Sequence, residues 1–114
     1  MDIGCVMIEL KPNSLERVRA WANFLLENKD GALQTLKAEG VTVENFFLFQ
    51  QGDKDFLIGY MRAKSLAHAQ QVVKNSLSEI DAYHQQFKKD AWAKVMRTEL
   101  LVDLSRLDKE EEQA

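Results

Sequence analysis

The centre of the sequence holds two apolar segments, VENFFLFQ (Val43–Gln50) and DFLIGYMRA (Asp55–Ala63), separated by the polar residues QGDK. Aromatic and branched aliphatic side chains favour β-strands, and a short polar turn with glycine favours a hairpin. A symmetric turn centred on Gly52 and Asp53 predicts three cross-strand pairs: Phe49 with Phe56, Phe47 with Ile58, and Asn45 with Tyr60. One face of the hairpin then carries Asn45, Phe47, Phe49, Phe56, Ile58, Tyr60 and Arg62. An asymmetric turn would exchange the two faces.

The segment before the hairpin predicts a strand and then a helix. Residues 3–11 have apolar side chains on both faces, which is typical of a central strand, and the following Pro-Asn ends it. Ser14 is a suitable N-cap, and apolar residues follow at three- and four-residue spacings as far as Leu36. We predict one long helix ending at Gly40, with a weak middle at residues 28–31 that suits a kink or a short break.

The segment after the hairpin predicts two further helices and a last strand. Ser65 caps a helix from Leu66 to about Lys74. Ser78 caps a second helix, whose apolar stripe contains Ile80, Tyr83, His84, Phe87 and Ala91. The last strand is predicted at Thr98–Leu104, where Leu100, Val102 and Leu104 alternate with Glu99, Leu101 and Asp103. The charged end, with acidic residues at 110–112, is typical of a frayed tail.

The order of these elements is strand, helix, strand, strand, helix, strand. With right-handed crossovers it predicts an α+β fold of the ferredoxin-like βαββαβ type, a four-stranded antiparallel sheet with the helices on one face. We assign residues 1–104 to a single domain and residues 105–114 to an acidic tail. A chain of 114 residues can bury one core of this kind but not two.

The sheet face opposite the helices is predicted to be apolar. It carries Met7, Phe47, Phe49, Phe56, Ile58 and Leu101. Soluble monomers rarely expose a contiguous apolar area of that size. We therefore predict a homodimer in which two such sheets pack face to face about a two-fold axis.

The composition excludes several classes of protein. Hydrophobic residues make up 46% of the chain and Gly and Pro are few, which excludes disordered and collagen-like chains. The net charge of -3 argues against nucleic acid or an anionic membrane as a partner. Because no apolar run can span a bilayer and the start is not a secretory signal, we expect a cytoplasmic protein. One cysteine, two histidines and no glycine-rich phosphate loop predict neither a metal site nor a cofactor.

Five segments carry a resemblance to a known superfamily: IELKPNSLERVRAW (8–21), EGVTVENFFLF (39–49), YMRAKSL (60–66), IDAYHQQF (80–87) and ELLVDL (99–104). Through them the chain resembles a small uncharacterised bacterial family of the dimeric α+β barrel superfamily, whose members pair two ferredoxin-like protomers into one barrel. The resemblance implies the fold and the dimer but no activity. The superfamily also includes cofactor-free quinone-forming monooxygenases, haem-degrading monooxygenases, sugar mutarotases and stress-responsive proteins, so the fold constrains function weakly.

His84 is the first candidate for chemistry, because it joins the apolar stripe of its helix and so faces the sheet. A histidine there can act as a general base or a haem ligand, or it can be a hydrogen-bonded structural residue. Trp92, in the same part of the chain, is either a core residue or the wall of a ligand pocket.

A second set of polar residues is predicted on the barrel face: Glu9, Asn45, Tyr60, Arg62 and Glu99. An unpaired buried charge is costly, so Arg62 needs a partner. That partner is either Glu9 or Glu99, or it is a bound ligand whose oxyanion Arg62 holds together with Tyr60.

Three functions fit these residues. The leading interpretation is a small homodimer that binds a small organic ligand in the barrel or in the cleft between helices and sheet. One alternative is a cofactor-free monooxygenase or isomerase acting on an aromatic or enolisable substrate, with His84 as base and Tyr60 and Arg62 stabilising an oxyanion. The other is a purely structural dimer with a filled interior. A cavity of at least ~300 Å³ with His84, Tyr60 or Arg62 at its wall would favour a ligand.

Overall fold

The computed structural model describes residues 1–107. Its elements are β1 (Asp2–Leu10), α1 (Leu15–Glu27), α2 (Lys29–Glu39), β2 (Val41–Gln51), β3 (Lys54–Ala63), α3 (Leu66–Lys74), α4 (Glu79–Ala91) and β4 (Trp92–Arg97). The four strands form one antiparallel sheet in the order β2-β3-β1-β4. The α+β class and the four-stranded antiparallel sheet are therefore confirmed. Residues 108–114 of the predicted acidic tail lie outside the described residues.

The hairpin of β2 and β3 pairs in the predicted register. Phe49 lies opposite Phe56, Phe47 opposite Ile58, and Asn45 opposite Tyr60. In the turn, Gly52 has φ 62°, in the left-handed region where a side chain would be strained. The symmetric turn is confirmed, and the assignment of residues to the two faces follows from it.

The prediction of a single long helix before the hairpin is wrong, but its weak point is confirmed: the chain forms α1 and α2 with a break at Asn28, within the predicted residues 28–31. The Asn28 backbone, with φ -112° and ψ 36°, is not helical. Its N–H and its side-chain Nδ2 both donate to the carbonyl of Phe24. Asparagine competes in this way for backbone acceptors, which weakens a helix at that point. The predicted end at Gly40 is confirmed by its left-handed φ of 73°.

The predicted last strand at Thr98–Leu104 is also wrong, because β4 consists of Trp92–Arg97. The backbone N–H of Lys11 donates to the carbonyl of Ala91 over 2.7 Å. That bond holds the end of α4 beside the end of β1, so the residues that follow Ala91 pair along β1, with Met96 opposite Met7. Residues 98–105 then continue without helix or strand.

The helices cover one face of the sheet. The core between the two layers contains Ile8 and Leu57 from the sheet, Trp21 from α1 and Phe87 from α4. The other face, which we call the open face, carries Asn45, Phe47, Phe49, Phe56, Ile58, Tyr60 and Arg62 from the hairpin and Ile3, Cys5, Met7 and Glu9 from β1. Phe47 is 60% exposed there. Leu101 lies outside the sheet, so its predicted place in the last strand, on this face, is wrong.

Candidate functional site

His84 lies on the side of α4 that faces the sheet, within a group of rings that we call the aromatic cluster: Trp21, Phe46, His84, Phe87 and Trp92. Trp21 stacks on Phe87 with 4.3 Å between ring centroids. The indole Nε1 of Trp21 donates a hydrogen bond to Nδ1 of His84 over 3.1 Å. The cluster joins α1, α4 and the sheet, and it holds the imidazole in one orientation.

The protonation of His84 follows from this position. Burial, together with the positive charge of Lys88, lowers the pKa of His84 to about 4, so the ring is neutral at pH 7. Because Nδ1 accepts from Trp21, the proton of the neutral ring is on Nε2. While that bond is kept, His84 offers a donor and not a base. A catalytic role for His84 stays a prediction, and as a base it would have to give up the bond to Trp21.

Trp92 is the first residue of β4 and lies edge-on to His84, with 6.4 Å between ring centroids. Its Nε1 is buried and has no hydrogen-bond partner among residues 1–107. A buried donor without an acceptor costs about 1–3 kcal/mol. The ammonium of Lys88 lies 4.9 Å from the centre of the indole ring. The site therefore contains an unused donor beside a ring that can donate from Nε2.

The carboxyl groups of Glu39 on α2, Glu44 on β2 and Asp81 on α4 interact with one another and with the ammonium of Lys88. Glu39, at the end of α2, is only 6% exposed. Burial, together with the negative charges of Asp81 and Glu44, raises the pKa of Glu39 to about 7, and Lys88 lowers it in part. Burial also raises the pKa of Glu44 and lowers that of Lys88. This group was not predicted from the sequence, although the alternation of Glu44 with Phe46 and Leu48 on the helix-covered face indicated a buried carboxylate.

The polar residues of the open face are paired differently from the prediction. Arg62 is 5% exposed, and its Nη2 and Nη1 donate to the two carboxylate oxygens of Asp103 over 2.8 and 3.5 Å. The predicted partners Glu9 and Glu99 are therefore wrong. Glu9 instead pairs with Lys54 over 3.2 Å, and Glu99 is exposed outside the sheet. The physical reason is that residues 98–105 leave the sheet and bring Asp103 to the open face.

The structure does not bring the three predicted catalytic residues together in one chain. His84 lies with the helices, whereas Tyr60 and Arg62 lie on the open face, so the sheet separates them. Asn45, predicted to contact a ligand, is exposed on the open face. A single site built from His84, Tyr60 and Arg62 within one chain does not form.

Residues 1–107 form at least two surface hollows. One, of about 600 Å³, lies between α2 and the start of α4 and includes Phe24, Gly31 and Ile80. The other, of about 640 Å³, lies at the end of β1 beside the hairpin turn and includes Glu9, Asn13 and Lys54. Neither hollow includes His84, Tyr60, Arg62 or Trp92, and of the predicted ligand residues Glu9 alone lines one of them, the hollow at the end of β1.

Two absences concern residues 1–107 alone. None of the helices described there is long and apolar enough to cross a membrane. In the same range, no group of three or more His, Cys, Asp or Glu side chains is arranged to hold a metal ion.

Comparison with known proteins gives one match. The model of a family described as "Family of unknown function (DUF6176)" matches residues 1–109. No curated protein and no solved structure matches the chain. Since the match covers nearly the whole chain, the protein belongs to the DUF6176 family of unknown function.

Proposed function

We propose that the protein acts as a homodimer of ferredoxin-like domains, packed sheet against sheet through the open face. The observation that carries the proposal is the exposure of Phe47, in a row of large apolar side chains that the helices do not cover. Its neighbours on this face are Met7, Phe49, Phe56 and Ile58. A second copy of the same face can cover this row, and a two-fold axis closes the assembly at two subunits.

Two further points support the proposal. The sheet order β2-β3-β1-β4, with helices in both crossover connections, fits the ferredoxin-like arrangement. The apolar side chains also provide enough free energy: burying a Phe, Met or Ile completely is worth about 1.5–3 kcal/mol, and the row contains five of them. Even partial burial on both copies offsets a substantial part of the cost of association.

Light scattering tests this proposal. We expect a mass of about twice the 13.1 kDa of the chain for the wild type. Phe47→Asp should give a folded monomer, because the change places an unpaired carboxylate in the interface. Leu77→Asp is the matched control, since Leu77 is fully exposed in the turn before α4, and it should remain dimeric. A wild-type mass of one chain at micromolar concentration contradicts the proposal.

A second candidate function is supported by the unused donor at Trp92. A small organic ligand with a carbonyl or carboxylate oxygen would accept from Trp92 Nε1 and from His84 Nε2, between the helices and the sheet. This location corresponds to the helix–sheet cleft of the leading interpretation.

A thermal-unfolding screen with aromatic and enolisable carbonyl compounds tests this candidate. A ligand at Trp92 should raise the melting temperature of the wild type and not that of Trp92→Phe, which keeps a smaller aromatic ring but lacks the N–H donor. Tyr83→Phe is the control, because its hydroxyl contacts Arg17 outside the cluster, and it should keep the shift. A compound that shifts wild type and Trp92→Phe equally binds elsewhere, and a screen without any shift argues against the candidate.

A further inference from the structure

The chain beyond β4 exposes more large apolar side chains than any other segment of comparable length among residues 1–107. We call Thr98–Leu107 the C-terminal arm. The exposed fractions are 57% for Leu100, 85% for Leu101, 70% for Val102 and 90% for Leu104. Four exposed apolar side chains within five residues are costly to keep in water and need a partner surface.

Two contacts attach the arm to the sheet. The hydroxyl of Thr98 donates to the backbone carbonyl of Cys5 on β1. The carboxylate of Asp103 accepts two hydrogen bonds from the buried guanidinium of Arg62 on β3. Arginine–carboxylate pairs with two bonds are geometrically specific, so this pair places the arm at one end of the open face.

The arm does not cover the other part of the open face in its own chain. Phe47 lies opposite Ile58, which is four residues before Arg62 on β3. At about 3.4 Å per residue, Phe47 lies roughly 14 Å along the strands from the point where the arm is held. Phe47 stays 60% exposed as a result. The open face therefore has one end closed by the arm and one end uncovered.

A two-fold axis between the sheets and perpendicular to the strands resolves this asymmetry. It reverses the strand direction of one copy relative to the other, so the closed end of each face lies over the uncovered end of its partner. An axis parallel to the strands would instead set the two arms against each other. A stable interface needs about 800 Å² from each partner, more than the Phe47 row alone provides at roughly 100 Å² for each large side chain.

We infer that the C-terminal arm of each copy docks on the Phe47 end of the open face of a second copy of this chain. The inference rests on the proposed homodimer and adds its geometry. Leu101 and Leu104 supply the apolar contact, whereas the Arg62–Asp103 pair holds the base of the arm within its own chain.

A photo-crosslinking experiment tests the docking. The photoreactive residue p-benzoylphenylalanine is placed at position 101, and this variant is mixed with ¹⁵N-labelled wild type. Because only the wild type carries the heavy isotope, every crosslink from position 101 to a heavy peptide is a crosslink between chains. We expect the arm to crosslink to heavy peptides from β2 around Phe47. The same photoreactive residue at position 77 is the control and should give no β2 crosslink.

The outcomes distinguish a failure of the arm docking from a failure of the proposed dimer. Crosslinks from position 101 to the heavy arm, to heavy helices or only within the same chain overturn the inference, even when light scattering reports a dimer. A monomer by light scattering overturns both the proposed dimer and the docking of the arm.

A pair of substitutions gives an independent measurement. Leu101→Ser combined with Leu104→Ser should weaken the dimer at least tenfold in Kd, without a change in the fold, because both side chains are already exposed in the single chain. Leu77→Ser, at another fully exposed leucine, should leave Kd unchanged. Equal Kd values for the arm variant and the wild type overturn the inference.

Discussion

Phe87→Ala is expected to lower the free energy of unfolding by about 3–5 kcal/mol, the usual range for removing a buried aromatic ring. Phe87 is fully buried and stacks on Trp21 with only 5° between the ring planes. The guanidinium of Arg17 also lies 5.5 Å from the centre of the Phe87 ring. The change leaves a cavity between α1, α4 and the sheet and removes the stacking partner of Trp21.

Urea unfolding followed by circular dichroism measures this loss. Protein concentration is kept the same for all variants, because a dimer makes the apparent stability depend on concentration. Phe24→Ala is the matched control: Phe24 is half-buried and stacks on Tyr83 near the surface of α1 and α4, so the expected loss is about 1 kcal/mol. Equal losses for the two variants would contradict the central place of the aromatic cluster in the fold.

Local rules were sufficient for the hairpin and for most helix ends. The alternation of aromatic residues and the single glycine in the turn define the register of β2 on β3, and Ser65 and Ser78 cap α3 and α4 as expected. These features depend on residues close in sequence, where steric and hydrogen-bonding preferences act directly.

The last strand shows where local rules are not sufficient. Residues 98–104 alternate more regularly and contain more leucine and valine than Trp92–Arg97, so local pattern favours them. The choice is made instead by the contact of Ala91 with Lys11, between residues 80 positions apart, which places the end of α4 beside β1. The exposed arm and the Arg62–Asp103 pair both follow from that contact.

The candidate site was predictable only in part. The helical stripe correctly places His84 toward the sheet. The stripe does not reveal that Trp21 occupies Nδ1, or that the sheet separates His84 from Tyr60 and Arg62. The proximity of Glu39 to Asp81 depends on how the end of α2 packs against α4, which no spacing in the sequence encodes.

Glu39 and His84 are expected to give opposite contributions to stability between pH 4 and pH 7. The folded-state pKa of Glu39 is raised from 4.5 to about 7, so the folded protein binds more protons than the unfolded chain in that interval, and acidification stabilises it. The folded-state pKa of His84 is lowered from 6.5 to about 4, so the unfolded chain binds more protons there, and acidification destabilises the fold. Each shift corresponds to about 3 kcal/mol.

Single substitutions should reveal the two contributions. Glu39→Gln removes the stabilising proton, so between pH 7 and pH 4.5 the variant should lose up to about 3 kcal/mol relative to the wild type. At pH 8 it should be the more stable protein, since no buried charge remains at position 39. His84→Gln keeps an acceptor for Trp21 but does not titrate, so it should gain stability over the same interval. Urea unfolding at half-unit pH steps measures both profiles.

Subtracting the wild-type free energy of unfolding from that of each variant isolates the contributions of Glu39 and His84 from those of neighbouring groups. Glu44, whose pKa burial also raises, contributes in the same sense as Glu39 but is present in every protein compared, as are Asp81 and Lys88. The change in stability with pH of the double variant should therefore lie between those of the two single variants, because the opposing contributions are both removed. His68→Gln, at an exposed position on α3, controls for the substitution itself. Parallel stability profiles for Glu39→Gln and His84→Gln would mean that neither group is buried as described. That result would also contradict the ligand candidate, because the candidate needs a neutral His84.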